Sequence, residues 1–269
     1  MSADHPAQAQ HTGDAGVRRP AGRRGRRAVR RPLRGNRARR SFGDGLLAAT
    51  TETVLVVVVA LVVSLVVKTF LLQAFFIPSQ SMEQTLDIGD RVVVSKLTPG
   101  PFDLARGDVV VFADPGGWLD PAVPPSRSAV GRIVADALTF VGLLPEDSDE
   151  HLIKRVIGLP GDHVVCCDPQ GALTINGVSI AESGYLFPGA QPSSETFDVT
   201  VPAGELWVMG DNRAESADSR FNRDKPYGGF VPIDHVVGRA DAVVWPVPHW
   251  SWLGRPSAFD DVPAPSGSS

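Results

Sequence analysis

The chain has 269 residues, of which 43% are hydrophobic, enough for one or two domains with their own cores. Its formal net charge of −4 hides an asymmetry: the first 44 residues carry twelve Arg against three Asp, a net +9, and the remainder is net −13. Because its two cysteines, Cys166 and Cys167, are adjacent, the composition excludes a disulfide framework and a cysteine-based metal site.

The first segment, residues 1–44, is rich in Arg, Gly, Ala and Pro and has few large apolar residues before Phe42. It cannot bury enough apolar surface to fold alone, so we predict a disordered basic arm. Its basic runs, Arg23–Arg27 and Arg39–Arg40, are compatible with nucleic-acid binding. A membrane segment follows at once, however, and Arg beside such a segment is retained in the cytoplasm. We therefore predict a cytoplasmic arm that contacts anionic lipid headgroups and binds no nucleic acid.

Next comes an apolar run, Thr53–Val67, which is uncharged between Glu52 and Lys68. As a helix it spans about 22 Å of a hydrocarbon layer of roughly 30 Å, so flanking residues must extend the anchor to 45–72. A buried strand is disfavoured by the length of the run. A cleaved secretory signal is disfavoured because the basic region is too long and no small-x-small site follows Val67. We predict one transmembrane helix with its N-terminus inside the cell and residues after about Leu72 outside the cytoplasm.

Residues 73–256 are predicted to form a mainly β domain. Short strands separated by Gly and Pro, without alternating helices, are typical of antiparallel sheets. An Asn176-Gly177 turn marks a hairpin. The predicted strands are Arg91–Ser95, Asp108–Phe112, Leu152–Ile157, His163–Cys167, the two arms of the hairpin Leu173–Ile180, Phe197–Val201, Leu206–Met209 and Val236–Val244.

Two segments of this region lack the strand pattern. The insertion 114–150 is rich in Pro and Gly at first and then shows a helical apolar face. We predict that this helix covers one end of the sheet, with a position on the membrane surface as the alternative. The polar tail 257–269 is predicted to be loose. The apolar face consists of Val130, Ile133, Val134, Ala137, Leu138 and Val141.

The adjacent cysteines allow two states. Neighbouring side chains on a strand point to opposite faces, which separates the two sulfur atoms. A vicinal disulfide is uncommon but compatible with the sequence. We predict two buried thiols.

A candidate nucleophile lies soon after the apolar run, in the stretch Phe75–Leu86. Pro78 fixes its own φ and favours an extended Ile77, so the chain is predicted to arrive as a strand and to turn at Ser79-Gln80-Ser81. Such a turn can present the hydroxyl of Ser81. Taken alone, the pattern is also typical of a solvated turn.

A candidate base lies in the middle of an aliphatic strand. Lys154 shares a face with Leu152 and Val156, whereas Arg155 points to the opposite face. Burial lowers the pKa of a lysine from about 10.4, and at roughly 8 about a tenth of the amine is neutral at pH 7. A neutral lysine can activate a serine hydroxyl without a histidine. The alternative is an edge strand with Lys154 in solvent.

A polar loop, Gly210–Arg220, follows the strand that ends at Met209. Two Asp-x-Arg repeats, Asp211–Arg213 and Asp218–Arg220, predict a fixed ion-pair network. Ser216 and Ser219 remain for hydrogen bonds. Such a network can hold a site rigid.

Five blocks of this sequence resemble the type I (leader) signal peptidases, which are membrane-bound serine/lysine proteases. The blocks occur in the family's order and cover residues from about 72 to 245. This resemblance implies the antiparallel β-sheet catalytic domain of that family behind one transmembrane helix. The blocks are Ile77–Met82 with Thr85–Leu86, Gly89–Leu97, Arg106–Phe112, Lys154–Asp162 and Gly210–Arg220.

The resemblance also implies roles for individual residues. Ser81 would be the nucleophile and Lys154 the general base. The Ser79 hydroxyl and the backbone N–H of Ser81 would form the oxyanion hole, and Ser216 would hold the lysine amine. The residues that would bind substrate are Phe75, Ile77, Pro78, Met82 and Ile153. The residues that would brace the polar loop are Asp218, Arg220 and Arg155.

Two positions depart from the family pattern. Gln84 stands where proline is usual, which predicts a looser turn after Met82. Leu152 stands where an aromatic residue is frequent, which alters the shape of the pocket for the residue before the cleaved bond.

The activity that the resemblance implies is removal of signal peptides from secreted preproteins. The cut would follow a small-x-small sequence such as Ala-x-Ala, through an acyl-enzyme at the outer face of the cytoplasmic membrane. Neither a metal nor a cofactor is implied. The expected partners are signal peptides and the lipid bilayer, and we expect a monomer.

Three other assignments compete with this resemblance, and one of them is a related family. A serine/histidine hydrolase would need one of His151, His163, His235 or His249 beside the serine. The self-cleaving repressors use the same dyad but carry a DNA-binding domain where this chain has a membrane anchor. An anchored β-sandwich that only binds a partner would leave Lys154 in solvent and Ser81 without a proton acceptor.

Overall fold

The computed structural model describes residues 42–119 and 151–265, with side chains from Ala49 onward. The chain divides into a unit Met1–Ala48, of which only helical backbone from Phe42 is described, and a unit Ala49–Ser269. Most of the predicted arm and the predicted helix of the insertion lie outside the described residues.

Helix α1, Phe42–Phe70, contains the apolar run. The helix begins three residues before the predicted start of the anchor at residue 45. It ends two residues before the predicted end of the anchor at residue 72. Its part Ala49–Phe70 is long and apolar enough to cross a membrane, since 22 residues give about 33 Å of helix. Valines along it, such as Val54 and Val62, are more than half exposed, since none of the described residues covers them.

The described strands pair antiparallel throughout, in one sheet of eight strands and one of four. The order is β1-β2-β11-β3-β4-β9-β10 in the larger sheet, with β12 on β11, and β7-β6-β5-β8 in the smaller. The predicted mainly β fold behind one apolar helix is confirmed. The strands are β1 Leu72–Phe76, β2 Arg91–Ser95, β3 Val109–Ala113, β4 His151–Gly158, β5 His163–Cys166, β6 Leu173–Ile175, β7 Val178–Ser179, β8 Phe197–Thr200, β9 Glu205–Met209, β10 Val231–Pro232, β11 Val236–Trp245 and β12 Ser251–Trp252.

Short 3₁₀ helices connect several of these strands. Among the described residues after β1, loops and these short helices, rather than long helices, therefore connect the strands. The described 3₁₀ helices are Glu182–Gly184, Arg213–Glu215, Pro226–Gly229, Ile233–His235, Val247–His249 and Ser257–Phe259.

Strand β4 lies at the centre of the larger sheet and is buried along its length after His151. Its ladder with β3 runs from His151 to Arg155, whereas its ladder with β9 covers only Arg155–Gly158. The residues His151–Lys154 therefore precede the β9 ladder. Buried aliphatic residues cover both faces of β4, with Ile153 in one apolar cluster and Leu152 and Val156 in another.

The prediction of two buried thiols is wrong, because Cys166 and Cys167 form a vicinal disulfide. Strand β5 ends at Cys166, so the alternation that would separate the sulfur atoms does not extend to Cys167. Cys166 is buried in the core of the smaller sheet.

The tail that we expected to be loose is packed as far as the structure describes it. Phe259 and Val262 lie in the apolar core of the smaller sheet, with 6% and 8% of their surface exposed. The backbone oxygen atoms of Val262 and Pro263 accept hydrogen bonds from the Arg106 guanidinium, at 3.3 and 3.2 Å. Phe259 and Val262 are two apolar side chains in a mostly polar stretch, which was too weak a pattern to predict that the tail packs against the smaller sheet.

Replacing the buried ring in this tail tests its contribution to the fold. We expect Phe259→Ala to lower the free energy of unfolding by about 3 kcal/mol, because it removes a buried aromatic ring and leaves a cavity. Thermal unfolding of the purified protein in detergent measures the change. Phe102→Ala is the matched control, since the Phe102 ring is 61% exposed. Equal melting temperatures for the two variants would contradict a packed tail.

Candidate active site

The turn that carries Ser81 is closed by backbone hydrogen bonds at both ends. After β1, the Ile77 N–H donates to Asp90 O (2.9 Å), and the Gly89 N–H donates back to Ile77 O (2.8 Å). Ser81 is only 4% exposed, and its carbonyl oxygen accepts from the Asn212 N–H (3.1 Å). The predicted turn is thus held between β1 and the loop after β9.

The side chain of Lys154 reaches this turn from the middle of β4. Its Nζ donates hydrogen bonds to Ser81 Oγ at 2.7 Å and to Ile153 O at 3.0 Å. Lys154 is 4% exposed, so it does not lie in solvent. Two residues that are 73 positions apart in sequence therefore meet in a site where both side chains are largely shielded from solvent.

The environment of Lys154 favours its neutral form. Burial lowers its pKa to about 8, although the carboxylates of Asp218 and Asp211 act in the opposite direction. At a pKa of about 8, roughly a tenth of the amine is neutral at pH 7. The neutral amine can accept the proton of the hydroxyl that it contacts.

The two other predicted serines lie beside this pair. The hydroxyl of Ser79 is 3.4 Å from Ser81 Oγ. Ser216 donates a hydrogen bond to Asp218 Oδ2 (2.8 Å), whereas the described hydrogen bonds of the Lys154 amine go to Ser81 and Ile153. Ser216 nonetheless lies close to the backbone of Ser81, with Gly210 between them. A Cβ added to Gly210 would lie 2.3 Å from Ser216 Oγ and 2.5 Å from Ser81 O.

Asp218 is the centre of the polar loop. It is fully buried and pairs with the Arg220 guanidinium through both carboxylate oxygens, each at 2.8 Å. Its Oδ2 also accepts from the Gly210 N–H at 3.0 Å. The carboxylate thereby fixes the backbone of the loop next to Ser81.

The second predicted ion pair forms with a different partner. Asp211 does not pair with Arg213; it pairs with Arg155, whose Nη2 and Nε are 2.6 and 2.8 Å from its carboxylate oxygens. Arg213 begins a 3₁₀ helix that turns it toward Glu182, with which it forms a buried ion pair. Because Glu182 lies in a stretch without a motif, the sequence carried no signal for this pairing.

The departure at Gln84 changes the backbone of the turn. Its φ is 87°, a left-handed conformation that a proline ring cannot adopt. The turn is not loose, since the N–H groups of Thr85 and Leu86 both donate to Met82 O, at 3.0 and 2.8 Å. The predicted loosening is therefore wrong.

A cavity of about 120 Å³ opens beside Lys154. Four of the five predicted substrate-binding residues line it, namely Phe75, Ile77, Pro78 and Ile153. The fifth, Met82, is fully buried in the adjoining apolar cluster and does not line the cavity. The other lining residues are Phe76, Ser79, Val111, Leu119, His151, Leu152 and Lys154.

The histidines of the described residues make other contacts than Ser81. The described partners of the Ser81 hydroxyl are Lys154 and Ser79, so the geometry favours the lysine over a histidine as its proton acceptor. Of the four histidines, His163 contacts Asp198 and His249 contacts Asp90. The Nδ1 atoms of His151 and His235 are buried without a hydrogen bond within the described residues.

Known proteins are similar to this chain over most of its length. Residues 50–245 match the family described as signal peptidase, peptidase S26. A probable signal peptidase I of Mycobacterium leprae is 37% identical over 235 residues, which cover 77% of this chain and 80% of the relative. A signal peptidase I of Mycobacterium tuberculosis is 40% identical over 219 residues, 74% of each chain. A solved signal peptidase I of Enterococcus faecalis V583 shares 27% identity over 51% of this chain and 97% of its own, with a TM-score of 0.31.

A methyl group on Gly210 tests how tightly the loop holds Ser81. We expect Gly210→Ala to lower the free energy of unfolding by about 1–3 kcal/mol, because the new Cβ would overlap Ser216 and the Ser81 backbone. Differential scanning calorimetry of the detergent-solubilised protein gives the change. Gly184→Ala is the control, since no atom of the described residues lies within 4 Å of its Cβ position. An unchanged stability of Gly210→Ala would contradict the close approach.

Proposed function

Because the chain belongs to the signal peptidase family, peptidase S26, and is a membrane-anchored serine endopeptidase, we propose that Ser81 and Lys154 form its catalytic dyad. In this proposal the enzyme removes signal peptides from secreted preproteins at the outer face of the cytoplasmic membrane. It cuts after a small-x-small sequence and forms an acyl-enzyme.

The observation that carries this proposal is the distance of 2.7 Å between Lys154 Nζ and Ser81 Oγ, in a site where both residues are 4% exposed. A general base must lie within hydrogen-bond reach of the proton that it removes. Burying an amine costs free energy when no charged partner is in direct contact with it. A chain that only bound a partner would have no need of such an amine.

The dyad supplies each proton transfer of the reaction. The neutral amine of Lys154 accepts the proton of Ser81 as Oγ attacks the substrate carbonyl. The backbone N–H of Ser81 and the hydroxyl of Ser79 stabilise the oxyanion. The resulting ammonium of Lys154 donates its proton to the leaving amine as the peptide bond breaks. The amine then activates the water that hydrolyses the acyl-enzyme and restores the Ser81 hydroxyl.

The charged residues around the dyad position it. Arg155 follows Lys154 in β4 and ties this strand to Asp211 at the start of the loop. Asp218 and Arg220 hold the other part of the loop beside Ser81. Ser216 adjoins the dyad, and its hydroxyl donates a hydrogen bond to Asp218. We propose that the hydroxyl oxygen, held in this way, orients the amine of Lys154.

The cavity of about 120 Å³ supports the preference for small side chains. Its walls are mainly apolar, and a large side chain would not fit beside Ile77 and Ile153. The His151–Lys154 edge of β4, which precedes the β9 ladder, is proposed to pair with the substrate in an extended conformation. Alternate substrate side chains would then point toward the cavity.

The anchor supports the proposed location. Ser81 lies only eleven residues after the end of α1 at Phe70, and five of these form β1. The Arg-rich segment before the helix predicts a cytoplasmic N-terminus and hence a catalytic domain outside the cytoplasm. Signal peptides present their cleavage sites at that same surface. A monomer without nucleic-acid partners completes the proposal.

Alanine variants of the dyad test the function. We expect Ser81→Ala and Lys154→Ala each to abolish cleavage of a preprotein with an Ala-x-Ala site, since one lacks the nucleophile and the other its base. Mass spectrometry of the products of the detergent-solubilised enzyme gives the cleavage position. Ser194→Ala and Lys225→Ala, at exposed positions, are the controls and should retain activity. Appreciable turnover by either dyad variant, with intact folding, would refute the assignment.

The pH dependence of the reaction tests the role of the amine. Because burial places the pKa of Lys154 at about 8, the neutral base is scarce below that pH. We expect kcat/KM to rise about tenfold per pH unit below pH 8 and to level off above it. Measurements between pH 5.5 and 10 with a fixed peptide substrate check the slope. A plateau that begins near pH 6 would indicate another base, such as a histidine.

A further inference from the structure

A second cavity, of about 600 Å³, lies beside the turn that carries Ser81. Its walls come from three segments: Gln84–Thr85, the stretch around Ser183, and Ser251–Ala258. The buried Arg155 also contributes to its lining, although its guanidinium is committed to Asp211, Gly107 O and Thr85. This volume falls in the range of ligand-binding pockets. We call it the leaving-side groove.

The groove lies within reach of a substrate that is bound at Ser81. Gln84 is three residues from Ser81, so the two Cα atoms are at most about 11 Å apart. Four residues of an extended peptide span about 13 Å. The first residues after the cleaved bond can therefore enter the groove.

The strand order indicates why that part of the substrate must leave the edge of β4. The residues before the cleaved bond are proposed to lie along His151–Lys154 and the smaller cavity. From Arg155 onward, β9 occupies the edge of β4 that a continuing substrate strand would need. The substrate must turn away from the sheet beyond the cleaved bond, and the turn 82–86 borders the groove there.

From these features we propose that the leaving-side groove binds the first few residues of the mature protein and prefers acidic over basic side chains among them. Arg255 supplies the preference. Its side chain is 46% exposed, and its Nε donates a hydrogen bond to Asp108 Oδ1 at 2.7 Å, whereas no described hydrogen bond uses its two terminal amino groups. No carboxylate is among the described residues that line the groove. Serine hydroxyls at Ser183, Ser251 and Ser257 add further polar contacts.

A matched pair of arginines makes this inference testable. Arg239 also contacts Asp108, at 3.7 Å, but it lies outside the groove and pairs with Asp241. Arg255→Gln and Arg239→Gln each remove one positive charge beside Asp108. Only the first of them changes the charge of the groove.

The test uses two reporter preproteins with the same Ala-x-Ala site and either three Glu or three Lys at the second to fourth positions after the cut. In uncharged detergent at low salt, we expect wild type to cleave the Glu reporter about two- to fivefold faster in kcat/KM, as an exposed ion pair permits. The preference should shrink as salt is added. Arg255→Gln should remove it, and Arg239→Gln should retain it.

The inference rests on the proposed function, and the reporters separate the two. If wild type cleaves neither reporter, or if Ser81→Ala cleaves them, the proposed function itself fails. If wild type cleaves both at the same rate, or if both arginine variants keep the same preference, the groove assignment is overturned while the dyad stands. Loss of the preference in Arg239→Gln as well would assign the effect to Asp108 rather than to the groove.

Discussion

The contact between the Lys154 amine and the Ser81 hydroxyl depends on keeping a lysine out of water. A solvated amine is almost entirely charged at neutral pH and cannot accept a proton. Strand β4 keeps this lysine out of water, since Lys154 is 4% exposed and its neighbours Leu152, Ile153 and Val156 belong to two buried apolar clusters. The rest of the structure brings a serine to that amine and holds it there.

Two adjacent residues of β4, Lys154 and Arg155, hold the serine and its loop in place. Lys154 reaches the serine, and Arg155 anchors the strand to Asp211. The loop after β9 is fixed again by the buried Asp218–Arg220 pair. A buried ion pair gives little net stability, because desolvation opposes the attraction between the charges. Its value here is positional: breaking either pair would leave an unpaired buried charge next to the dyad.

The turn of Ser81 separates two cavities of different chemistry. The smaller one is mainly apolar and lies along β1 and the start of β4. The larger one is lined by serines, Gln84 and Arg255. This division suits a substrate whose two halves differ, with small side chains before the cleaved bond and a polar chain after it. The left-handed backbone of Gln84 gives the turn its shape where the second cavity begins.

By itself, the sequence predicted the apolar helix, most of the strands and Ser81 and Lys154 as the candidate pair, because periodicity and short ordered motifs are local properties of a chain. It also placed Asp218 and Arg220 together, two residues apart. Only the tertiary structure decided that Asp211 pairs with Arg155, that Glu182 pairs with Arg213, and that Phe259 docks the tail. The two ion pairs join residues 56 and 31 positions apart, and the docking of Phe259 depends on burial in a shared core, so the energies of these contacts arise only after the sheets have assembled.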